Sequence, residues 1–271
     1  MWSSTSLRLV TDERRATLAE SVARAESRQA RMSLTVGEPP DSHDWVNCGS
    51  LLSDVTRFGQ WRASLGDWLV DQYGEAPERT TAGYVMTWYL GVPGYTAALL
   101  FHHERRVPSL RPEQLAFRMA RPRPHPESIA LLDKRFVCLP DDPAAGTPDA
   151  TVVPDERALA SVLRGRFIAH AARFVSMFAP TVRFGRRTLW AAATDALDDS
   201  MLLVGRYGGD EGAGVVDGSL VLPGRVAPFT AGSTMRAEGA GWTRRRESCC
   251  FHYLLERGKG PCSTCPRVLP K

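Results

Sequence analysis

The chain has 271 residues, of which 43% are hydrophobic and 24% are charged. This balance is typical of a folded globular protein and excludes a globally disordered chain. The net charge of +4 is compatible with anionic partners without requiring them. Residues 1–20 lack the apolar core of a secretory signal, so we expect a cytoplasmic protein whose thiols are reduced.

The N-terminal half predicts mainly helices. Residues 11–32 and 59–73 carry apolar side chains at helical spacing, whereas residues 34–50 are typical of a loop. Residues 80–101 contain no formally charged side chain and are long enough to cross a bilayer. Because Gly-Val-Pro-Gly interrupts this segment, we interpret it as a buried helix broken near Pro93 and expect at most peripheral membrane contact.

The middle of the chain predicts a basic segment, a strand and a linker. Residues 105–123 are rich in arginine, and residues 128–138 predict a strand. The prolines, aspartates and alanines of residues 141–154 are typical of a linker. We therefore predict a helix-rich N-terminal region over 1–140 and a C-terminal helical region over 155–271, whose cysteine segment spans 240–271.

Two amphipathic helices are predicted in the C-terminal region, over residues 155–178 and 184–204. The glycine-rich residues 205–225 lack the Gly-Lys-Ser/Thr of a phosphate loop and are interpreted as a flexible loop. Long helices with a few short strands predict an α+β fold that is predominantly helical, with a small sheet and a separate C-terminal cysteine segment.

Four of the six cysteines lie within 17 residues, at Cys249, Cys250, Cys262 and Cys265. A structural zinc usually takes two C-x₂₋₄-C pairs, but only the last two cysteines have that spacing. Neighbouring side chains diverge, so two adjacent cysteines converge poorly on one ion, whereas a cluster of two irons offers more widely spaced ligand positions. A Cys249–Cys250 disulfide would be strained, and the expected compartment is reducing.

The pattern C-C-x₁₁-C-x₂-C resembles the C-terminal C-C-x₁₀-C-x₂-C of the FhuF-type ferric-siderophore reductases. The spacing between Cys250 and Cys262 is one residue longer, and the Gly-Lys-Gly of residues 258–260 is able to absorb the insertion in a loop. The resemblance covers about the last 30 residues. The rest of the chain matches that family only in size and helix-rich layout.

This resemblance implies that Cys249, Cys250, Cys262 and Cys265 bind a 2Fe–2S cluster. It further implies a cytoplasmic oxidoreductase that reduces the Fe(III) of an imported siderophore to Fe(II) and so releases the iron. No dinucleotide fingerprint is present, so the expected electron donor is a ferredoxin or a flavoprotein reductase. Outside the motif, Cys48 and Cys138 are expected to be small buried residues.

Positive charge surrounds the cysteines, since residues 241–271 hold seven Lys or Arg against two Glu. Such charge stabilises a reduced cluster and attracts anionic chelates. If residues 242–248 are extended, Arg244 and Arg246 share one face and are candidates for substrate binding, with Trp242 beside them. His252 is an alternative ligand, although four cysteines already suffice.

Two other functions are compatible with the same residues. A zinc-stabilised basic binding protein would explain a Cys₄ site and the arginines, but no nucleic-acid motif is present and we expect no nucleic-acid partner. An iron–sulfur redox sensor would need an effector or DNA-binding element, and the sequence contains no convincing helix-turn-helix.

Overall fold

The computed structural model describes residues 17–28, 31–39, 41, 44–258 and 260–268. Its helices are, in chain order, α1 (Leu18–Arg28), α2 (Cys48–Ser53), α3 (Val55–Tyr73), α4 (Glu78–Glu104), α5 (Glu156–Phe178), α6 (Arg186–Tyr207) and α7 (Glu211–Val221). The predicted α+β fold, predominantly helical with small sheets, is confirmed. The part of the predicted helix 11–32 that precedes residue 17 lies outside the described residues.

Three small sheets accompany the helices. The strands are β1 (Ser33–Val36), β2 (Trp45–Asn47), β3 (Val107–Pro108), β4 (Leu115–Met119), β5 (Pro126–Leu131), β6 (Phe136–Cys138), β7 (Ala150–Val152), β8 (Met235–Glu238) and β9 (Gly241–Arg244). The first sheet has the order β1-β5-β4-β2, in which only the β1–β5 pair is parallel. The second has the order β3-β6-β7, with β6 and β7 parallel, and the third is the β8–β9 hairpin.

Helix α4 lies at the centre of the molecule, against α6 on one side and α1, α3 and α5 on others. Most of its residues from Thr80 to Phe101 are buried, which explains why this segment lacks charge. The predicted break near Pro93 is wrong, because the helix runs through it. A Cβ on the adjacent Gly94 would lie 3.0 Å from the Ala196 carbonyl oxygen, so this glycine lets α6 approach closely. No described helix combines the length and the apolarity that a membrane crossing requires.

Two segments interpreted as loops contain regular structure. Residues 34–50 include most of β1, all of β2 and the start of α2, which Asn47 caps by accepting a hydrogen bond from the Ser50 N–H. Residues 205–225 include α7, capped in the same way by Asp210. A Cβ on Gly205 would lie 2.8 Å from the Gly214 Cα, so these glycines serve close packing of α6 on α7 instead of flexibility.

The predicted linker 141–154 contains β7, and its Asp142 forms an ion pair of 2.6 Å with the buried Arg106. Buried apolar residues from both sides of this segment belong to one contiguous hydrophobic cluster. The division of the chain into two regions stays a prediction.

Candidate metal centre

The part of the cysteine segment that follows β9, over the described residues 245–258 and 260–268, rests on one end of α4. The Thr80 hydroxyl donates a hydrogen bond of 2.9 Å to the Phe251 carbonyl. One turn further along α4, a Cβ on Gly83 would lie only 2.8 Å from the Cys250 carbonyl oxygen. The backbone of the vicinal cysteines therefore touches the backbone of the central helix directly.

A buried carboxylate on α6 holds the residues that precede Cys249. Asp195 accepts hydrogen bonds from the backbone N–H groups of Glu247 and Ser248, at 2.8 and 2.7 Å, and from the Ser248 hydroxyl at 2.5 Å. Its charge is balanced by Arg244, whose Nη1 lies 3.1 Å away. Because a charged acceptor forms strong hydrogen bonds, Asp195 fixes the position of the backbone just before Cys249.

The four thiols lie near one another as two interacting pairs. Cys249 interacts with Cys265, and Cys250 with Cys262. Each pair thus takes one thiol from the vicinal cysteines and one from C-x-x-C. The Cys262 thiol and the Arg246 guanidinium lower the pKa of Cys250 to about 5, whereas burial raises the pKa of Cys249.

The backbone N–H groups that follow the vicinal cysteines are directed at their sulfurs. Phe251 adopts a left-handed conformation with φ of 60°, which is uncommon for a residue with a side chain. Its N–H donates to the Cys249 sulfur at 3.3 Å, and its ring stacks on Phe184 at 5.1 Å. The His252 N–H is directed at the Cys250 sulfur. Backbone donors of this kind stabilise thiolates and tune the potential of a cluster.

The His252 side chain faces the aromatic surface of α4. The Tyr84 hydroxyl and His252 Nδ1 lie 2.5 Å apart, and the two rings are stacked with centroids 6.2 Å apart. Trp88 continues this aromatic row one turn later, 5.2 Å from the Tyr84 ring. This engagement of His252 leaves the cysteines as the better donor set.

The three residues predicted for substrate binding lie in different environments. The Arg244 guanidinium is buried and forms ion pairs with Asp195 and with Asp199, at 2.9 Å from the latter. Arg246 points toward the cysteines, and its nearest carboxylate oxygen, on Asp195, is 3.9 Å away. Trp242 lies half-buried in β9, and its backbone N–H donates a hydrogen bond of 2.9 Å to Glu211 Oε2. Their role in substrate binding stays a prediction.

A cavity of about 500 Å³ lies beside the cysteine segment, between α4, α6 and the start of β5. We call it the α4 cavity. Trp88, Gly91 and Tyr95 of α4 line one side, while Arg246 and Thr264 of the cysteine segment line another. In the described part of the chain Arg244 also contacts this cavity, and Trp242 does not. A larger cavity of about 1020 Å³ lies between α3, β4 and residues 119–124, where it contacts none of the described cysteine-segment residues.

Sequence reasoning missed the residues that position the cysteines, above all Asp195, Thr80 and Gly83. A signal for the first was present, because Asp195, Asp198 and Asp199 share one face of a helix whose other residues from Leu189 to Val204 are mostly apolar. Thr80 and Gly83 gave no comparable signal. The two cysteines outside the motif are buried as expected, and burial raises the pKa of Cys48 to about 12 and that of Cys138 to about 11. Both are therefore poor ligands in this state.

The donor set fits a cluster of two irons, since each iron of a 2Fe–2S cluster takes two protein ligands and the thiols lie in two pairs. Among the described residues, no group of three or more His, Cys, Asp or Glu side chains is arranged to hold a single metal ion. Four thiols so paired, with backbone N–H groups directed at the sulfurs, are typical of an all-cysteine iron–sulfur protein.

Comparison with known protein families identifies which kind of iron–sulfur domain this segment resembles. Residues 246–267 match the family profile of the FhuF 2Fe-2S C-terminal domain. The resemblance that the cysteine spacing predicted is therefore confirmed over this segment, and its cofactor is a 2Fe–2S cluster. The longer spacing before Cys262 does not prevent the match. No curated protein matches the chain.

Proposed function

We propose that the protein is a cytoplasmic ferric-siderophore reductase whose 2Fe–2S cluster is held by Cys249, Cys250, Cys262 and Cys265. The observation that carries the proposal is the match of residues 246–267 to the FhuF domain, together with the pairing of the four thiols within it. The match associates the chain with iron–sulfur ferric-siderophore reductases, and the reductase activity of this chain is our inference.

The bound cluster supplies one electron at a time, which is the change required to convert Fe(III) to Fe(II). Siderophores hold iron through hard oxygen ligands, and such ligands bind Fe(II) far less tightly than Fe(III). Reduction therefore releases the metal, which leaves the protein to hold the chelate near the cysteines and to exclude competing contacts. A ferredoxin or a flavoprotein reductase supplies the electron in this proposal.

The position of the cysteine segment supports electron transfer. Cys249, Cys250 and Cys262 are only partly buried, so donor and acceptor are able to approach the sulfurs. Arg246 holds positive charge beside Cys250 and Cys262, which favours the reduced form of a cluster. The segment is nevertheless held against α4 and α6 by hydrogen bonds to Thr80 and Asp195.

The experiment is anaerobic purification followed by iron analysis and visible spectroscopy. We expect a red-brown protein with about two irons per chain, bleached by dithionite and recoloured by a stoichiometric amount of ferric siderophore. A Cys262→Ser variant should lose or strongly alter the visible spectrum, while the matched Cys138→Ala variant should keep it. A colourless protein with one zinc would refute the proposal, and a reduced cluster that ferric siderophores leave unchanged would indicate a redox sensor.

A further inference from the structure

The α4 cavity contains two buried hydrogen-bond donors that the protein leaves unused. Tyr95 is 2% exposed and the Arg246 side chain is 11% exposed. Within the described residues, neither the Tyr95 O–H nor the Arg246 Nε–H has a hydrogen-bond acceptor, although the Met32 N–H is directed at the Tyr95 oxygen. Native proteins rarely bury such groups without a partner, so each of them is available to bond an occupant of the cavity. Burial raises the pKa of Tyr95 to about 12, which keeps its hydroxyl protonated and able to donate.

The charges around the cavity favour a negatively charged ligand. Its carboxylates already have cationic partners: Asp195 and Asp199 pair with Arg244, and Glu127 pairs with Arg118 at 2.8 Å. Arg246 is less closely paired than Arg244, because its Nε is 3.9 Å from its nearest carboxylate oxygen.

Arg123 is a second cation at the cavity, and its guanidinium is stacked on tryptophan rings. Its guanidinium lies over the ring of Trp88 at 4.9 Å and over that of Trp68 at 5.2 Å. Among the described side chains no carboxylate forms an ion pair with it. A stacked guanidinium keeps its in-plane N–H donors free to bond an anionic ligand.

The cavity also adjoins the proposed cluster ligands. Thr264 lies between Cys262 and Cys265 and lines the cavity, and its carbonyl accepts a hydrogen bond of 3.0 Å from the Arg246 N–H. The Arg246 guanidinium interacts electrostatically with the sulfurs of Cys250 and Cys262. One side chain therefore borders both the cavity and the sulfurs, which places any occupant next to the source of electrons.

Building on the proposed reductase function, we propose that the α4 cavity docks the ferric chelate and selects an anionic one, with carboxylate or catecholate oxygens, over a neutral tris-hydroxamate. Arg246 and Tyr95 donate hydrogen bonds to its anionic oxygens, and Arg123 with Trp88 forms the opposite wall. The docked Fe(III) accepts one electron from the reduced cluster and leaves as Fe(II), so no bond to the protein forms or breaks.

The test measures binding separately from electron transfer. Gallium(III) replaces Fe(III) because it has the same charge and is not reduced. Calorimetric titration of the oxidised holoprotein uses gallium(III) citrate, a gallium(III) tricatecholate and a neutral gallium(III) tris-hydroxamate. We expect either or both anionic complexes to bind at least about tenfold more tightly than the neutral one, as expected when a charged hydrogen bond is gained.

Three variants locate the binding site. Tyr95→Phe removes only the hydroxyl and should weaken anionic binding about fivefold to tenfold, and Arg246→Gln should weaken it more. Gly91→Met places an uncharged side chain in the cavity and should abolish binding. Nothing lies within 4 Å of a Cβ at this position, so the backbone tolerates the substitution. Gly59→Met is the matched control, at another helical glycine with equally open surroundings away from the cavity. Circular dichroism and visible spectra establish that each variant is folded and loaded.

Two results would overturn the docking site: unchanged anionic binding in both Gly91→Met and Tyr95→Phe, or equal affinity for the neutral complex. Stopped-flow reoxidation of the dithionite-reduced wild type by the corresponding ferric chelates separates this failure from failure of the proposed function. If the wild type is reoxidised and the variants behave identically, the protein is a reductase that docks its chelate elsewhere. If no ferric chelate reoxidises the wild type, the proposed function itself fails, and with it the role of the cavity in reduction.

Discussion

The contact between Gly83 and the vicinal cysteines makes a sharp test of how the cysteine segment is held. In Gly83→Ala the added Cβ would lie 2.8 Å from the Cys250 carbonyl oxygen, 3.0 Å from its carbonyl carbon and 3.1 Å from the Phe251 ring. Ordinary contacts begin near 3.4 Å, so the difference of 3.4 minus 2.8 requires a shift of about 0.6 Å. Both opposing atoms of Cys250 belong to the backbone, so no flexible side chain is available to absorb this shift.

The expected magnitude follows from two opposing effects. Alanine is favoured over glycine inside a helix by about 1 kcal/mol, whereas overpacking costs about 1–3 kcal/mol. Gly59→Ala is the control, because Gly59 lies inside α3 and a Cβ there meets nothing within 4 Å. We expect Gly59→Ala to be about 0.5–1 kcal/mol more stable than the wild type, and Gly83→Ala to be about 1–3 kcal/mol less stable than Gly59→Ala.

The assay is urea unfolding of the two variants, combined with visible absorbance per bound iron and the rate of iron loss to a chelator. Gly83→Ala should lose iron faster and show an altered spectrum, because the shift acts directly on the Cys250 backbone. If Gly83→Ala were as stable as Gly59→Ala and kept the wild-type spectrum, the cysteine segment would not depend on close contact with α4.

Three further predictions concern buried polar residues that contribute to stability. Asp195→Asn removes the charge that holds the Ser248 backbone and should lower the free energy of unfolding by about 3 kcal/mol, with faster iron loss; urea titration and absorbance measure both. Thr80→Val deletes the hydrogen bond to the Phe251 carbonyl and should cost about 1–2 kcal/mol in the same titration. Burial lowers the pKa of His170 to about 4, whereas a histidine in the unfolded chain has a pKa near 6.5. As the pH falls, the unfolded chain therefore binds a proton before the folded chain does. Stability should therefore fall by about 2 kcal/mol from pH 7 to pH 5, and His170→Gln should show a shallower decline.

The ligand set could be predicted because its information is local. Adjacent cysteines followed by C-x-x-C form a rare pattern that needs no knowledge of the fold, and the family match covers the same residues. The long amphipathic helices were equally accessible, since α3, α5 and α6 each present apolar side chains at helical spacing.

What the sequence left unpredicted depends on contacts between distant segments. Pro93 and Gly94 weaken a helix in isolation, but packing on all sides keeps α4 continuous, and the glycine admits the backbone of α6. The glycines of α7 reduce helix propensity in the same way, while Gly214 lets that helix pack against Gly205. Tertiary packing outweighed local propensity in both places.

The contrast between local sequence patterns and contacts from distant segments also explains why the roles of the arginines were harder to predict than those of the cysteines. Arg244 and Arg246 are two residues apart, yet buried aspartates of α6 bind the first and leave the second beside the α4 cavity with an unused donor. Their difference is set by Asp195 and Asp199, about 50 residues earlier in the chain. Helix α6 therefore uses one arginine to fix the cysteine segment. The other is thereby directed toward the space between that segment and α4, where a chelate would be held.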